Sequence, residues 1–369
     1  MQYLRKFVVV LTVVAAFQLL NAQNLSRPTL ILSRPVHLVH PLDRTGSALL
    51  KSATVATVPF WAGSFITSGT TYHYRMVGAS PFSSDTTTTL PVVLIPLNLK
   101  FSDGVTYSGN TRVSALEASP LFKNASFSSG TTQYTDAVQR AGFWHNAILS
   151  HPNYHVRVGT PTNLATETFT VPASDGFDAL LNGKPVGAVN LTWFNTTVNG
   201  VVSRAISQGV FHAQSLLVIL TKDVVIFDGS PSKCCILGFH GAVSTSTAVY
   251  TYAYGPYLSQ GIISNWGDIT VLSHEFAEWL DDPFGNNIVP KWAQPGSGST
   301  ACFSNLLEVG DAVEALANPN FTVTLNSVTY HPQDAANLYF FSRAPKPTPA
   351  KNGLYSFAGK LSNPSSTCH

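Results

Sequence analysis

The chain has 369 residues, of which 44% are hydrophobic and only 11% are charged. It is long enough to bury a large core without disulfides, as one large domain or as two ordinary ones. The net charge is +2, and basic residues cluster nowhere beyond the extreme N-terminus. This charge distribution gives no electrostatic reason to expect nucleic acid or an anionic membrane as a partner.

The N-terminus has the parts of a secretory signal peptide. Arg5 and Lys6 precede an apolar run over residues 7–20, and Ala22 provides a small residue for cleavage. We therefore expect a signal peptide over residues 1–22 and secretion of the rest, to an extracellular or periplasmic location. An uncleaved N-terminal anchor is the alternative, but the run is short for a bilayer span. No later stretch is long and apolar enough to span a membrane.

A polar, proline-punctuated leader follows, and short strand patterns with glycine breaks complete residues 23–87. Residues 90–101 have a strong strand pattern, in which Pro91 and Pro96 predict an edge strand or a bulge. The periodicity changes at residues 132–149, where apolar residues recur every three or four positions and predict a long amphipathic helix.

The rest of the chain alternates strand patterns with one more helix. The strand patterns lie at residues 154–158, 166–171, 186–193, 216–227, 236–240 and 248–254. The pattern of residues 269–280 predicts a helix that Pro283 ends. Such a mixture indicates an α+β fold.

This second predicted helix carries the sequence His-Glu-Phe-Ala-Glu at residues 274–278. His274 and Glu278 leave the same helix face and supply two metal ligands at a fixed spacing, and Asp281 lies on that face as well. Glu275 is displaced by about 100° around the helix, where it can reach a water beside the metal. Carboxylates near a helix C-terminus are unfavourable, and a bound cation offsets their repulsion. A buried polar network is the alternative to a metal site.

A third ligand is expected downstream. Glu308 lies thirty residues past Glu278, and a loop carboxylate that caps backbone groups is its alternative interpretation. His240 is an additional candidate that would restore a nitrogen ligand, although a core histidine bonded to backbone explains it as well. A further histidine group fits a solvated helix end better than a second site. Its members are His145, His151 and His155.

A helix with HExxE followed by a later glutamate resembles the gluzincin type of zincin metallopeptidase, in which the helix carries HExxH. The resemblance implies that His274 and Glu308 bind the metal, that Glu275 is the general base and that Asp311 orients His274. Glu278 stands where that family has its second histidine. Two carboxylates and one histidine cancel the charge of a divalent ion and favour harder ions more than a two-histidine site does.

The resemblance also implies an overall organisation. The short β-rich segment before residue 88 would precede a zincin-like metal-binding domain over residues 88–345. That domain would combine a mixed sheet, a long backing helix and the active-site helix. A C-terminal tail over residues 346–369 would be tied down by Cys368.

A second resemblance covers only the C-terminal half. Phe239-His240, residues 282–286 and the terminal Ser366-Thr367-Cys368 are similar to the phosphate-induced, exordium-type secreted plant proteins. Those proteins are associated with the cell wall and growth. The resemblance implies an extracellular role and leaves open whether catalysis is retained.

The four cysteines fit an oxidising compartment. A bond between the neighbours Cys234 and Cys235 would be strained, so we expect each of them to pair with Cys302 or Cys368. One disulfide with two buried thiols is the alternative.

These patterns predict a secreted, monomeric hydrolase, most readily a peptidase, that uses a metal-activated water on a peptide or protein substrate. We expect one divalent ion, zinc, as the cofactor, and no nucleic acid or membrane partner after signal cleavage. A non-catalytic extracellular protein with a structural metal, binding a cell-wall polymer, is the main alternative. A glycan-acting enzyme that pairs Glu275 with Asp281 is a third hypothesis.

Overall fold

The computed structural model describes residues 27–32, 36–51, 54–344, 354–364 and 368. The predicted signal peptide and its cleavage site lie outside these residues. Within them, no helix combines the length and the apolar character needed to cross a membrane.

The described residues contain seven α-helices, one 3-10 helix and one π-helix. They are α1 (Arg44–Leu49), α2 (Val113–Glu117), α3 (Tyr134–Gly142), α4 (Leu191–Ser207), α5 (Thr270–Asp281), α6 (Asp311–Glu314), α7 (Leu338–Ser342), the 3-10 helix Gly109–Arg112 and the π-helix His145–Ser150.

Strands make up more of the described chain than helices do. They are β1 (Thr29–Leu30), β2 (Val36–His40), β3 (Phe60–Thr67), β4 (Thr70–Val77), β5 (Thr87–Leu90), β6 (Val92–Lys100), β7 (Thr106–Ser108), β8 (Ala125–Phe127), β9 (Gly130–Thr132), β10 (His155–Val158), β11 (Thr162–Asn163), β12 (Glu167–Thr170), β13 (Gly176–Leu181), β14 (Lys184–Asn190), β15 (Leu216–Lys222), β16 (Val224–Phe227), β17 (Cys234–Ser244), β18 (Val249–Ile263), β19 (Trp266–Asp268), β20 (Ile288–Trp292), β21 (Ser304–Leu306), β22 (Val323–Leu325) and β23 (Val328–Tyr330).

One curled mixed sheet of 13 strands organises the molecule, and this confirms the α+β class. Its main path runs β1-β13-β14-β16-β17-β18-β15-β6-β11. The strands β2, β7, β12 and β19 join it beside this path, and the remaining strands form two-stranded ribbons. The helix α5, which carries the HExxE sequence, packs against β17 and β18 of this sheet.

Both faces of the sheet centre are buried. On β15, Leu216, Val218 and Leu220 join the core that contains α5, whereas Leu217 and Ile219 join the core that contains α4. Side chains alternate between the faces of a strand, so a strand covered on both faces is apolar throughout. The continuous apolar run that predicted this strand is therefore explained by a helix layer on each side.

The helix with the HExxE sequence is confirmed to within one residue at each end. All of α5 is buried, and its apolar side chains Leu272, Phe276 and Leu280 pack in the larger core. Trp279 Nε1 donates to Thr251 Oγ1 on β18 at 3.0 Å. These contacts fix the rotation of α5 and hold its polar side chains inside the protein.

The long helix predicted at residues 132–149 is divided in the structure. α3 ends at Gly142, and a π-helical turn follows over His145–Ser150. Phe143 at the break inserts its ring between Trp61 and Phe82, with ring centroids 5.6 Å from each. This aromatic packing, which the helical periodicity does not reveal, interrupts the helix.

The longest helix, α4, was not predicted, and the strand expected at residues 186–193 was wrong in its last three residues. β14 ends at Asn190, whose side chain accepts from Thr192 N and caps α4. Many residues of α4 are β-branched and have modest helix propensity. Packing of its buried face against the sheet decides the outcome. That face consists of Phe194, Val198, Val201, Val202 and Ala205.

β6 contains Pro96 but is not an edge strand, so the edge alternative of that expectation was wrong. β15 pairs along one side of β6, while β11 and β12 pair with its two ends on the other side. Leu94 O accepts from Leu164 N on that second side. Pro96 lies two residues further along β6, so its nitrogen, which carries no hydrogen, faces this same side. It lies at the gap between β11 and β12, where no backbone donor is needed.

The expected disulfide pairing was also wrong. Cys234 is bonded to Cys235, and Cys302 is bonded to Cys368 with a Cα–Cα distance of 4.9 Å. Cys234 and Cys235 are buried at the start of β17, whereas Cys302 is exposed on a loop. The buried cysteines on β17 thus bond to each other, and the exposed Cys302 bonds to the half-buried Cys368.

We expect the unpredicted helix α4 to be essential for stability. Phe194→Ala removes a fully buried ring that lies against Phe239 and Tyr254, at centroid distances of 6.2 and 4.7 Å. The loss should lower the free energy of unfolding by about 3–5 kcal/mol. Asn199→Ala on the exposed face of α4 is the control and should change it by less than about 0.5 kcal/mol. Urea unfolding measures both, and equal effects would contradict the packing role.

Candidate metal centre

The polar residues of α5 are the centre of a buried cluster. The side chains of His274, Glu275 and Glu278 have between 0% and 1% of their surface exposed. Charged groups are rarely buried so completely without partners, because desolvation is costly. Their partners come from three other parts of the chain.

Three groups of donor atoms could each hold a metal ion, and within each group the atoms lie within 4.8 Å of one another. The groups are His274 with Glu278 and Asp311, His240 with Glu275 and Glu278, and His37 with His274 and Glu275. Any two groups share one residue, and each shared residue belongs to α5. The helix therefore supplies the common ligands, and each neighbouring segment adds one more.

The first group joins α5 to the chain just before and within α6. His274 Nε2 lies 3.1 Å from Glu278 Oε1 and 3.7 Å from Asp311 Oδ1. Glu278 Oε1 also accepts from the backbone N–H groups of Gly310 and Asp311, each at 3.1 Å. The structure thus brings together the two ligands predicted from α5 and places Asp311 beside them.

The second group involves β17, which lies beneath α5. His240 Nδ1 is 3.3 Å from Glu275 Oε2 and 3.5 Å from Glu278 Oε2. The ring is fully buried, and it contacts these carboxylates rather than backbone groups. His240, an additional candidate in the sequence, thus lies in the same cluster as the HExxE residues.

The third group contains His37, which no sequence pattern singled out. His37 Nδ1 donates to Glu275 Oε1 at 2.5 Å, and its ring stacks on His274 at 3.6 Å. His37 lies on β2, which pairs in parallel with β17. The segment predicted as an extended leader therefore contributes a strand to the main sheet and a histidine to the site. The short apolar run around His37 was the only sequence signal for this strand and its histidine.

Glu308, the predicted third ligand, is buried near the cluster but belongs to none of the three groups. Burial, and then repulsion from Glu278, raises the pKa of Glu308 well above its ordinary value. The same causes raise the pKa of Asp311, with Glu314 adding to the repulsion. Both carboxyl groups thus lie where a cation would stabilise their charged forms.

Asp281 and Asp282 lie outside the three groups as well. Asp282 Oδ1 accepts from the backbone N–H groups of Asn286 and Asn287 at 3.0 and 3.2 Å and closes the turn after α5. Asp281 lines a small cavity with Val138 of α3. This placement separates Asp281 from Glu275 and does not favour the paired-acid glycosidase hypothesis.

The other histidine group has structural partners. His155 Nδ1 lies 2.7 Å from Asp136 Oδ2, and His151 Nδ1 donates to the carbonyl of Pro81 at 3.0 Å. Among the residues that the structure describes, neither histidine belongs to a candidate metal group.

The residues fit a divalent cation because several of their buried polar atoms lack a hydrogen-bond partner within the described part of the chain. These atoms are Nε2 of His37, Nε2 of His240, both ring nitrogens of His274, Oε1 of Glu308 and Oδ1 of Asp311. Each unsatisfied buried atom costs on the order of 1–3 kcal/mol. Imidazole nitrogens and carboxylate oxygens are ligands that a cation satisfies.

The pKa shifts of the buried histidines also favour binding of a cation. Burial alone would lower the pKa of His274, but the charges of Glu278, Glu275 and Asp311 outweigh it and raise this pKa to about 10. Burial likewise opposes protonation of His240, and its contacts with Glu275 and Glu278 raise its pKa well above the ordinary value. The cluster attracts positive charge strongly, either as protons or as a metal ion, so metal binding would release protons.

A cleft of about 520 Å³ opens beside the cluster. It is lined by polar and aromatic residues that include Gln260, Asn318 and Trp266. The ring centroid of Trp266 lies 5.8 Å from that of His37. Trp266 thus connects the lining of the cleft to the histidine that holds Glu275.

Gly310 is required by the close approach of the His274 ring. A Cβ atom at this position would lie 2.6 Å from both Cγ and Nδ1 of His274, so Gly310→Ala must displace the ring. We expect the metal affinity to fall by about 10- to 100-fold and the melting temperature of the metal-free protein to fall as well. Titration calorimetry and thermal unfolding measure these changes.

Gly142→Ala is the matched control, because the nearest atom to its added Cβ lies 3.8 Å away. This variant should leave affinity and melting temperature nearly unchanged. An unchanged affinity in Gly310→Ala would show that the ring position does not matter for the metal.

The pKa of Asp281 gives a pH-dependent prediction. Burial, with repulsion from Asp282 and Glu278, raises this pKa from 3.8 to about 8. The folded protein therefore holds a proton that the unfolded chain releases above pH 4. This stabilisation is full below that pH and is lost as the pH rises through 8. Asp281→Asn should remove this part of the decline, which is about 1.4 kcal/mol per pH unit. Urea unfolding of the metal-free protein between pH 5 and 9 tests it, and parallel curves would contradict it.

Comparisons with known proteins do not add to this geometry. No protein-family model, no curated protein and no solved structure matches the chain. The zincin-type and exordium-type resemblances accordingly stay predictions.

Proposed function

We propose that this protein is a secreted metal-dependent hydrolase of the peptidase type, with a zincin-like active-site helix. The observation that carries the proposal is the convergence of unpartnered, buried imidazole and carboxylate atoms on the HExxE residues of α5. His274, Glu278 and Asp311 would hold the ion, for which zinc is the first candidate. Glu308, buried nearby, is the alternative for the third position.

The ion and the side chains would have separate tasks. When bound, a divalent ion would supply a Lewis acid that polarises a substrate carbonyl and makes a nearby water more acidic. Glu275 would accept the proton of the attacking water, because it is the carboxylate that α5 places beside the ligands. His37 and His240 hold its two oxygens at 2.5 and 3.3 Å. They would fix its orientation.

Secretion is part of the proposal. The two cysteine pairs are compatible with an oxidising compartment, and the N-terminal sequence has the composition of a signal peptide. A peptide or protein substrate would enter through the cleft beside Trp266. The polar and aromatic lining of this cleft suits an extended polymer.

A structural metal in a non-catalytic extracellular protein is the second candidate. The observation in its favour is the burial of the candidate ligands, since catalytic metal sites keep one position open to substrate and structural sites are closed. For the hydrolase to work, a path from the surface to the buried ligands would have to open.

Two substitutions separate these functions. His274→Ala removes the ligand common to two of the groups and should abolish binding of the ion held at His274, measured by mass spectrometry of metals on purified, unchelated protein. Glu275→Gln keeps the shape of the side chain and should keep the ion at His274, but it should lower hydrolysis by about 100-fold or more because the base is lost.

A peptide library and a denatured protein serve as substrates, and Glu117→Gln, outside the site, serves as the matched control with unchanged activity. If the metal-loaded wild type cleaves nothing and Glu275→Gln alters only stability, the structural-metal function holds. Metal near zero in both wild type and His274→Ala would refute both candidates.

A further inference from the structure

The two oxygens of Glu278 face different donor groups. Glu278 Oε1 lies 3.1 Å from His274 Nε2, on the side of Gly310 and Asp311. Glu278 Oε2 lies 3.5 Å from His240 Nδ1, on the side of β17. A carboxylate placed between two nitrogen ligands in this way is suited to bridging two ions, which lie about 3.5–4 Å apart in two-metal sites.

Each side has its own imidazole and its own second carboxylate. Asp311 Oδ1 is 3.7 Å from His274 Nε2, and Glu275 Oε2 is 3.3 Å from His240 Nδ1. Among the described residues, no group of mutually close donor atoms contains both His240 and His274. Ligands of one zinc ion lie within about 4.2 Å of each other, since each is about 2.1 Å from the metal. Around these two imidazoles the donor atoms therefore form two sets, which the group of His37, His274 and Glu275 joins.

We infer that the centre binds two divalent ions that share the Glu278 carboxylate, one held with His274 and Asp311 and the other with His240 and Glu275. This inference rests on the metal site of the proposed function but not on its hydrolytic step, because Glu275 bound to the second ion would be a ligand rather than the base. His37 is left outside both sets, because its Nδ1 donates to Glu275 Oε1 at 2.5 Å and its Nε2 faces Glu314 Oε1 at 3.6 Å. It positions the carboxylate of the second set.

Charge balance supports the second ion. Glu275, Glu278, Glu308, Asp311 and Glu314 are five buried carboxylates, and the described salt bridges of this set are with histidines alone. One divalent ion would offset two of these five charges, and two ions would offset four of them while the imidazoles stay neutral. Neutral imidazole is the form that binds metal.

The wild-type protein allows a test that needs no substitution. The full secreted chain is stripped with a chelator and reloaded with excess Mn²⁺, and free ions are removed. Metal analysis should find about two Mn²⁺ per chain, and electron paramagnetic resonance should show an exchange-coupled pair. One equivalent with the six-line signal of isolated Mn²⁺ would overturn the inference.

Variants then assign the two positions. His240→Gln and Asp311→Asn should each reduce the content from about two ions to about one and remove the coupling. His155→Gln, which breaks a histidine–aspartate pair elsewhere in the core, is the matched control and should keep two coupled ions. Two ions retained in His240→Gln would overturn the assignment.

The outcomes separate this inference from the proposed function. One ion that is lost in His274→Ala and unaffected by His240→Gln refutes only the second position. Two coupled ions without any peptide hydrolysis refute only the hydrolase. No bound Mn²⁺ or Zn²⁺ in the wild type refutes both.

Discussion

The burial of the α5 carboxylates is the constraint on which the rest of the site depends. The helix must bury its apolar side chains against β17 and β18, and this carries Glu275 and Glu278 into the interior as well. A buried carboxylate without compensation costs several kcal/mol. Every element that surrounds α5 contributes to that compensation, through imidazoles, backbone N–H groups or places for cations.

The compensating groups come from distant parts of the chain. β2 adds His37 from the N-terminal segment, β17 adds His240 from the centre of the sheet, and the start of α6 adds Asp311 together with two backbone donors. Because each contact crosses between elements, assembling the site requires the whole fold. The same arrangement makes the site rigid, and Gly310 shows how little free space surrounds the His274 ring.

The burial of the candidate ligands also bears on whether the metal site is catalytic or structural. A closed set of ligands stabilises a fold by binding an ion only in the folded state, whereas a hydrolase needs a path for substrate. The lining of the nearby cleft includes Trp266, whose ring lies 5.8 Å from that of His37. The two functions therefore differ in whether a path to the ligands opens, while the ligands and their neutralisation are common to both.

The sequence by itself determined the α+β class, the bounds of α5 and the pair His274 and Glu278, because helical periodicity and the i, i+4 spacing are local properties. Tertiary structure decided what local patterns cannot contain. It formed α4 by packing β-branched residues against the sheet, and it paired Cys234 with Cys235 and Cys302 with Cys368. It also brought His37 and Asp311 to α5, since sheet pairing and chain reversal, rather than sequence spacing, set which side chains meet.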